Sequence, residues 1–177
     1  MSAKFDLEYK FDPILIRHYH GNFGVAFHCH HYMVNYTQVA VNFKNDGGPE
    51  ALRDTAAEVF GEYLRIYFLN HKITDPIHKI RLAEEYWKII GMGLVEFKQS
   101  DSDTLTATME YSHVDEGWLK KGKFTSEPVN FVSQGFVAAV ACALDNRGRS
   151  SLKEYNVTET KSLVKGDAIS EFVVTKI

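Results

Sequence analysis

Residues 126–146 read SEPVNFVSQGFVAAVACALDN, and the rest of the chain has to be organised around this stretch. Apolar residues recur at helical spacing on one face, and the opposite face is apolar as well. A helix that is apolar on all sides is usually a buried helix. Ser126 and Pro128 predict its start, and the polar residues after Leu144 predict its end. Roughly seventeen apolar-rich residues are short for a membrane span. We therefore predict a core helix.

One part of this helix is thin. Gly135, Ala138, Ala139 and Ala141 carry little or no side chain. A neighbouring backbone or a ligand can therefore approach the helix closely at this point.

Composition limits the classes of protein to consider. A chain of 177 residues with 45% hydrophobic and 24% charged residues fits one soluble globular domain. A net charge of −3 gives no electrostatic case for binding nucleic acid or an anionic membrane. The first ten residues contain acidic side chains where a signal peptide needs an apolar core, so we expect a cytoplasmic protein. Cys29 and Cys142 are then expected to be reduced thiols.

Hydrophobic periodicity and turn residues predict the order of the other elements. We expect a single α+β domain, resembling an α/β sandwich, in which helices pack on antiparallel hairpins. Residues 112–124 are expected to be irregular. The expected elements are a strand at 5–11, a His-rich helix from residue 28, helices at 49–70 and 76–90, a hairpin at 94–111, the central helix, and a hairpin at 152–175.

The His-rich segment, residues 27–38, is the first candidate binding element. On a helix His28, His31 and Asn35 share one stripe, because residues three or four apart lie on the same face. This stripe carries neither Lys nor Glu, which a solvent-facing stripe would normally have. We therefore predict that it is partly buried and faces a ligand, with Tyr32 and Tyr36 beside it.

The same region is also a candidate metal site. His18, His20, His28 and His31 lie within fourteen residues, and imidazole is a common ligand of transition metals. The spacing matches no standard zinc signature, however, and the cluster contains no Asp or Glu. Three interpretations stay open at this point: a metal site, hydrogen-bonding histidines in a polar pocket, and structural histidines.

Short motifs in the second half of the chain resemble the 4-vinyl reductase domain family. They are Gln134-Gly135-Phe136 within an apolar helix, a final hairpin with Gly166-Asp167 at its turn and Glu171-Phe172 on its last strand, and the helix-to-hairpin join at residues 89–96, IIGMGLVE. The resemblance covers roughly residues 46–174. It implies that residues 46–177 form the small-molecule-binding part of the domain and that residues 1–45 add a strand and the His-rich helix.

The resemblance further implies a cytoplasmic and often dimeric domain with an apolar cavity for small molecules such as aromatic hydrocarbons or pieces of tetrapyrroles. Trp87 and Phe136 are candidates for the cavity wall, although ordinary packing is the simpler role for a buried aromatic residue. Many members place zinc-binding cysteines on the final hairpin, where this chain has Ser162 and Ser170. A serine hydroxyl does not replace a thiolate on zinc, so we expect the usual zinc site to be absent.

Two classes of function follow. The first is a binding protein for a small hydrophobic or aromatic ligand, acting as a sensor or accessory protein. The alternative is an enzyme, metal-dependent or using the N-terminal histidines as general acid and base on a small aromatic or tetrapyrrole-like substrate. We also expect a homodimer, because Tyr63, Tyr67 and Phe68 offer more apolar surface than one core contact needs. No catalytic residue is assigned.

Overall fold

The structure, a computed structural model, describes residues 4–99, 104–145, 152 and 154–177, and all structural statements concern this part of the chain. The turn predicted at 100–103 and the polar residues predicted at 146–148 lie outside it. In chain order the elements are β1 (Tyr9–Asp12), β2 (Arg17–His20), β3 (Phe23–Val25), α1 (His30–Asn42), α2 (Gly48–Asn70), α3 (Pro76–Ile89), β4 (Gly93–Gln99), β5 (Thr104–Ser112), α4 (His113–Lys120), α5 (Phe131–Leu144), β6 (Tyr155–Lys161) and β7 (Ser170–Lys176).

The predicted core helix is α5, and every residue from Phe131 to Cys142 is buried. It begins later than predicted because Asn130, and not Ser126, caps it. The Asn130 side chain accepts a hydrogen bond from the backbone N–H of Ser133 at 3.3 Å, which satisfies one of the free donors at the helix start. The prediction of a core helix is confirmed, and the predicted start is wrong.

The thin part of α5 receives the backbone of α2. A Cβ atom at Gly135 would lie 2.3 Å from the carbonyl oxygen of Arg53 and 2.7 Å from the Cβ of Ala56. Only glycine permits this approach. The predicted close contact is therefore made by a neighbouring helix.

A four-stranded antiparallel sheet in the order β4-β5-β7-β6 forms the second layer. Both predicted hairpins are present, because β4 pairs with β5 and β6 pairs with β7. Helix α3 packs on β4, and α5 packs on β6 and β7. The described residues thus form one α+β domain with five helices and two antiparallel sheets, as predicted. Within them, no helix has both the length and the apolar character needed to cross a bilayer.

The second sheet is a small N-terminal meander, β1-β2-β3. The chain before it is anchored by Phe5, which is 3% exposed. The Phe5 ring stacks on Tyr67 with 4.0 Å between ring centroids and lies 5.0 Å from Tyr86. This anchor holds the meander against α2 and α3.

Residues 113–120 form helix α4, and the prediction of irregular structure there is wrong. Ser112 caps the helix by accepting a hydrogen bond from the N–H of Asp115 at 3.3 Å. Gly117, which resembled a helix breaker, is required by packing: a Cβ there would lie 2.5 Å from Cγ2 of Val34 in α1. Trp118 completes this contact by donating a 2.8 Å hydrogen bond from Nε1 to Oγ1 of Thr37.

The apolar surface that suggested a homodimer is used inside the monomer. Tyr63, Tyr67 and Phe68 are 5–7% exposed. Tyr63 stacks on Tyr86, and Tyr67 stacks on Phe5. These three side chains are therefore not available to a partner, and the argument that they leave spare surface is wrong.

Candidate ligand-binding site

A cavity of about 420 Å³ lies between the N-terminal meander and the ends of α2 and α3. Its volume falls within the range of small-molecule sites. The cavity is open to solvent on one side. Its wall is contributed by residues 7, 20, 23–28, 33, 59, 60, 63, 86, 89–92 and 113.

Most of this wall is aromatic or aliphatic. Phe60, Tyr63 and Tyr86 form one side, and the Tyr63 and Tyr86 rings stack at 4.8 Å between centroids. Phe23 meets the Tyr63 ring edge-on at 5.3 Å. None of the residues described as lining the cavity is Lys, Arg, Asp or Glu. An aromatic wall without formal charge suits a small neutral molecule.

Three histidines, His20, His28 and His113, supply the polar edge of the cavity. The rings of His28 and His113 lie 5.8 Å apart. Burial lowers the pKa of His20 and of His113, and for His113 the nearby His28 and His30 lower it further. The imidazoles of His20 and His113 are therefore neutral near pH 7, and each offers one donor and one acceptor to a ligand.

The predicted His-Asn stripe is divided by the structure. Helix α1 begins at His30, so His28 precedes the helix, and His28 lines the cavity. The cavity wall does not include the other residues of the prediction, which are exposed on α1: His31, Asn35, Tyr32 and Tyr36. The face that α1 buries carries apolar residues and a threonine: Met33, Val34, Thr37 and Ala40. The expectation that the polar stripe is partly buried is wrong, because His28, His31 and Asn35 are all exposed and the ordinary apolar stripe is the one that packs.

The thin part of α5 is not available to this stripe. That place is occupied by α2, and α1 packs on α4 and α2 instead. As ligand contacts, His31, Asn35, Tyr32 and Tyr36 stay predictions from sequence with no support from the geometry of this cavity.

Trp87 and Phe136 are fully buried behind the cavity wall. Their rings stack at 4.1 Å between centroids, and Phe60 meets both of them edge-on at 5.4 Å. Phe60 therefore separates them from the cavity. They support its wall and do not form its surface.

The four histidines proposed as metal ligands do not form one group, because His20 and His28 line the cavity and His18 and His31 do not. His18 bonds through Nδ1 to the Tyr9 hydroxyl at 2.6 Å, and Nδ1 of His31 lies 3.6 Å from Sγ of Cys29. Within the described residues, no three His, Cys, Asp or Glu side chains converge in a way that could hold a metal ion. A transition metal at His18, His20, His28 and His31 stays a prediction from the sequence.

Ser162 and Ser170, the two positions at which the family resemblance led us to expect no zinc site, are both fully buried. The Ser170 hydroxyl is already used: it donates to Asp115 at 2.9 Å and accepts from the N–H of Leu163 at 3.1 Å. The side chains around the two serines offer oxygens and amides but no thiolate or imidazole. Zinc sites are built mainly from sulfur and nitrogen ligands, so these residues do not fit zinc.

Sequence reasoning missed most of the cavity. Phe60, Tyr63 and Tyr86 carry no sign of a site, because aromatic residues at helical spacing also describe an ordinary core. The one available signal was the glycine break at residues 91–93, which turns the chain beneath the cavity and brings Met92 to its wall.

No protein-family model and no curated protein matches the chain. Similar solved structures exist. One is the phenol-responsive sensory domain of the transcription activator PoxR with phenol, with a TM-score of 0.76 and 9% sequence identity over 96% of this chain and 85% of that one. A second is a trafficking protein particle complex subunit 3 from Naegleria fowleri, covalently bound to palmitic acid, with a TM-score of 0.51 and 9% identity over 84% of this chain and 94% of that one. At this identity the comparisons show a shared fold.

Proposed function

We propose that this protein is a cytoplasmic, homodimeric sensor or accessory domain of the 4-vinyl reductase type that binds a small neutral aromatic molecule. The observation that carries the proposal is the cavity itself, with an aromatic wall formed by Phe60, Tyr63 and Tyr86 and an uncharged histidine edge. The fold shared with a phenol-responsive sensory domain supports it. The motifs that resemble the family also support it: Gln134-Gly135-Phe136 lies on α5, and Glu171-Phe172 lies on β7.

The absence of Lys, Arg, Asp and Glu from the described wall supports a neutral ligand. A neutral aromatic ring with one hydroxyl, such as a phenol, buries its ring against the tyrosines and can bond a neutral imidazole. A benzoate brings a carboxylate that no cation on the wall can pair, and burying an unpaired charge is costly. We therefore expect phenols to raise the melting temperature of the protein and benzoate to leave it unchanged.

A pair of valines provides a matched test. Val59 lies on the cavity wall and Val39 lies on α1 away from it, and the two are 52% and 54% exposed. Val59→Trp is expected to fill the opening and weaken phenol binding at least tenfold, by calorimetric titration, while Val39→Trp leaves the affinity unchanged. Equal affinities in the two variants would place the ligand elsewhere.

An enzyme that uses these histidines as general acid and base stays the alternative. The same neutral imidazoles could exchange protons with a bound substrate. Incubating the protein with each ligand that binds and analysing the mixture for products separates the two proposals.

A further inference from the structure

A group of buried polar side chains surrounds the start of α5, and none of them lines the cavity. We call it the carboxyl cluster, and it consists of Ser112, Asp115, Asn130, Gln134, Glu159, Ser162 and Ser170. These residues come from the start of α4, the start of α5, and the terminal hairpin β6–β7. Their joint burial means that the hairpin is attached to both helices through polar groups.

The two carboxyl groups of the cluster are hydrogen-bonded to neutral donors. Oδ2 of Asp115 accepts from Nδ2 of Asn130 at 3.0 Å and from the Ser170 hydroxyl at 2.9 Å. Oε2 of Glu159 accepts from Nε2 of Gln134 at 3.2 Å. Such bonds stabilise a carboxyl group, but they supply no opposite charge.

Each carboxyl group also keeps one oxygen without a partner. Oδ1 of Asp115 and Oε1 of Glu159 are buried and have no hydrogen-bond partner among the described atoms. The hydroxyl of Ser162, itself fully buried, approaches Glu159 without a well-aligned hydrogen bond. An ionised carboxylate with a bare oxygen in an apolar interior is strongly unfavourable, whereas a protonated carboxyl group turns one bare acceptor into a donor.

No described cation faces the cluster. Asp115 and Glu159 are the titratable groups within it, and Asp167 lies at its exposed edge, where Oδ2 accepts from the N–H of Ser162 at 2.8 Å. Other charged side chains nearby have partners of their own or are exposed. On α4 and the hairpin, Glu116 pairs with Lys120, Lys161 with Glu171 and Lys176 with Asp145, and Lys165 is exposed. Arg53 of α2, which borders the same surface groove as Gln134, pairs with Asp54.

We propose that the carboxyl cluster is a proton-binding site that takes the structural place of the zinc site of the related family, so that protonated Asp115 and Glu159 fasten the terminal hairpin to α4 and α5 without a metal. Neutral amides and hydroxyls can hydrogen-bond two protonated carboxyl groups, so that no metal and no thiolate ligand is needed. Serines at positions 162 and 170 are consistent with this arrangement. The proposal does not depend on what the cavity binds.

The direction of the pKa values agrees with this geometry. Burial, and to a smaller extent the neighbouring Asp115, raises the pKa of Glu159 to about 7 although the nearby Ser162 hydroxyl and the hydrogen bond from Gln134 lower it. Burial likewise raises the pKa of Asp115 to about 6 although its hydrogen bonds lower it. A carboxyl group whose pKa is higher in the folded state stabilises the fold while it is protonated there. That contribution is complete below the pKa of the unfolded chain, about 4.5 for Glu, and is lost as the pH rises through about 7.

The test compares the pH dependence of unfolding in three proteins. For the wild type we expect the equilibrium constant for folding to fall on the order of a hundredfold between pH 5 and pH 8, since each unit of pKa difference corresponds to a factor of ten. Glu159→Gln keeps the shape of the side chain and removes one of the two titrating groups, leaving Asp115 with its lower pKa. Its stability should therefore fall much less than that of the wild type from pH 6 to pH 8. Glu96→Gln, an exposed change on β4, should follow the wild type.

Metal addition and infrared spectroscopy complete the test. Zn²⁺, Ca²⁺ or EDTA should leave the wild-type melting temperature and the amide exchange of β6–β7 unchanged. If Glu159→Gln does not fold, the carbonyl stretch of a protonated carboxylic acid in the wild type at pH 6, fading by pH 8, supports the proposal independently. A stabilising metal, parallel pH profiles for the wild type and Glu159→Gln, or the absence of that infrared band would overturn it.

Discussion

Replacing Gly135 by Ala tests whether the contact between α2 and α5 organises the core. The added Cβ would meet the carbonyl oxygen of Arg53 at 2.3 Å, the Cβ of Ala56 at 2.7 Å and the backbone nitrogen of Ala57 at 2.8 Å. Two of these atoms belong to the α2 backbone, so no rotamer change can relieve the overlap. Helix α2 would have to move away along the largest helix–helix interface of the fold.

The size of the effect follows from two opposing terms. Overpacking a core costs about 1–3 kcal/mol and occasionally more, and a rigid backbone neighbour favours the upper end. Ala in place of Gly in a helix interior contributes about 1 kcal/mol in the other direction. We expect Gly135→Ala to lower the free energy of unfolding by ~2 kcal/mol, which for a chain of this size corresponds to roughly 4–8 °C in melting temperature.

Gly61 is the matched control. It also lies within a helix, α2, and also faces α5, but a Cβ there would meet Ala139 at 3.7 Å and Leu152 at 3.9 Å, which are ordinary contacts. Gly61→Ala should be neutral or stabilising by up to about 1 kcal/mol. Urea denaturation followed by circular dichroism measures both variants. A Gly135→Ala protein as stable as Gly61→Ala would refute the close-contact argument.

Two further predictions concern the N-terminal segment and assembly. Phe5→Ala removes a buried ring stacked on Tyr67, so the free energy of unfolding should fall by about 3 kcal/mol or more, and limited proteolysis should cut the β1–β3 region first; an unchanged digestion pattern would contradict the anchoring role. For the proposed homodimer, light scattering at micromolar concentration should give twice the chain mass of 20.2 kDa, and a value for one chain would rule the dimer out.

The elements that the sequence predicted well are those with a strong local signal. The start of α3 is one: the helix was predicted to begin at residue 76 and does so, and the Asp75 side chain caps it by accepting from the N–H of His78 at 2.7 Å. The long apolar stretch of α5 is another. Its twelve consecutive buried residues leave no exposed face that could be confused with a buried one. In both cases the physical cause lies within a few residues of the chain.

Helix α4 shows why other elements were missed. Gly117 lowers helix propensity, and the local sequence therefore favoured an irregular segment. The cost is offset by tertiary packing, because only a glycine lets α1 bring Val34 against this helix. The sequence shows the glycine, but it does not show which residue packs against that glycine in the folded protein.

The cavity depends still more on distant contacts. Its wall joins the loop before α1, the middle of α2, the end of α3 and the first residue of α4, which lie up to about a hundred residues apart in the sequence. Residue type alone also did not predict which polar residues are buried. His31 and Asn35 resembled a buried polar stripe because no charged residue interrupts them, yet they are exposed.

In the carboxyl cluster, residue type is again a poor guide to burial, because residues of types that are usually exposed are buried. Asp115 and Glu159 belong to the residue types that are least often buried, and nothing beside them in the sequence marks them as different from a surface carboxylate. Their environment comes from Asn130, Gln134 and Ser170, on elements that meet only after folding. The chemical state of these two groups is therefore a consequence of the tertiary structure. The serines at 162 and 170 indicated only that a zinc site is not expected there, and nothing in the sequence indicated the proton-binding site that we propose for the carboxyl groups beside them.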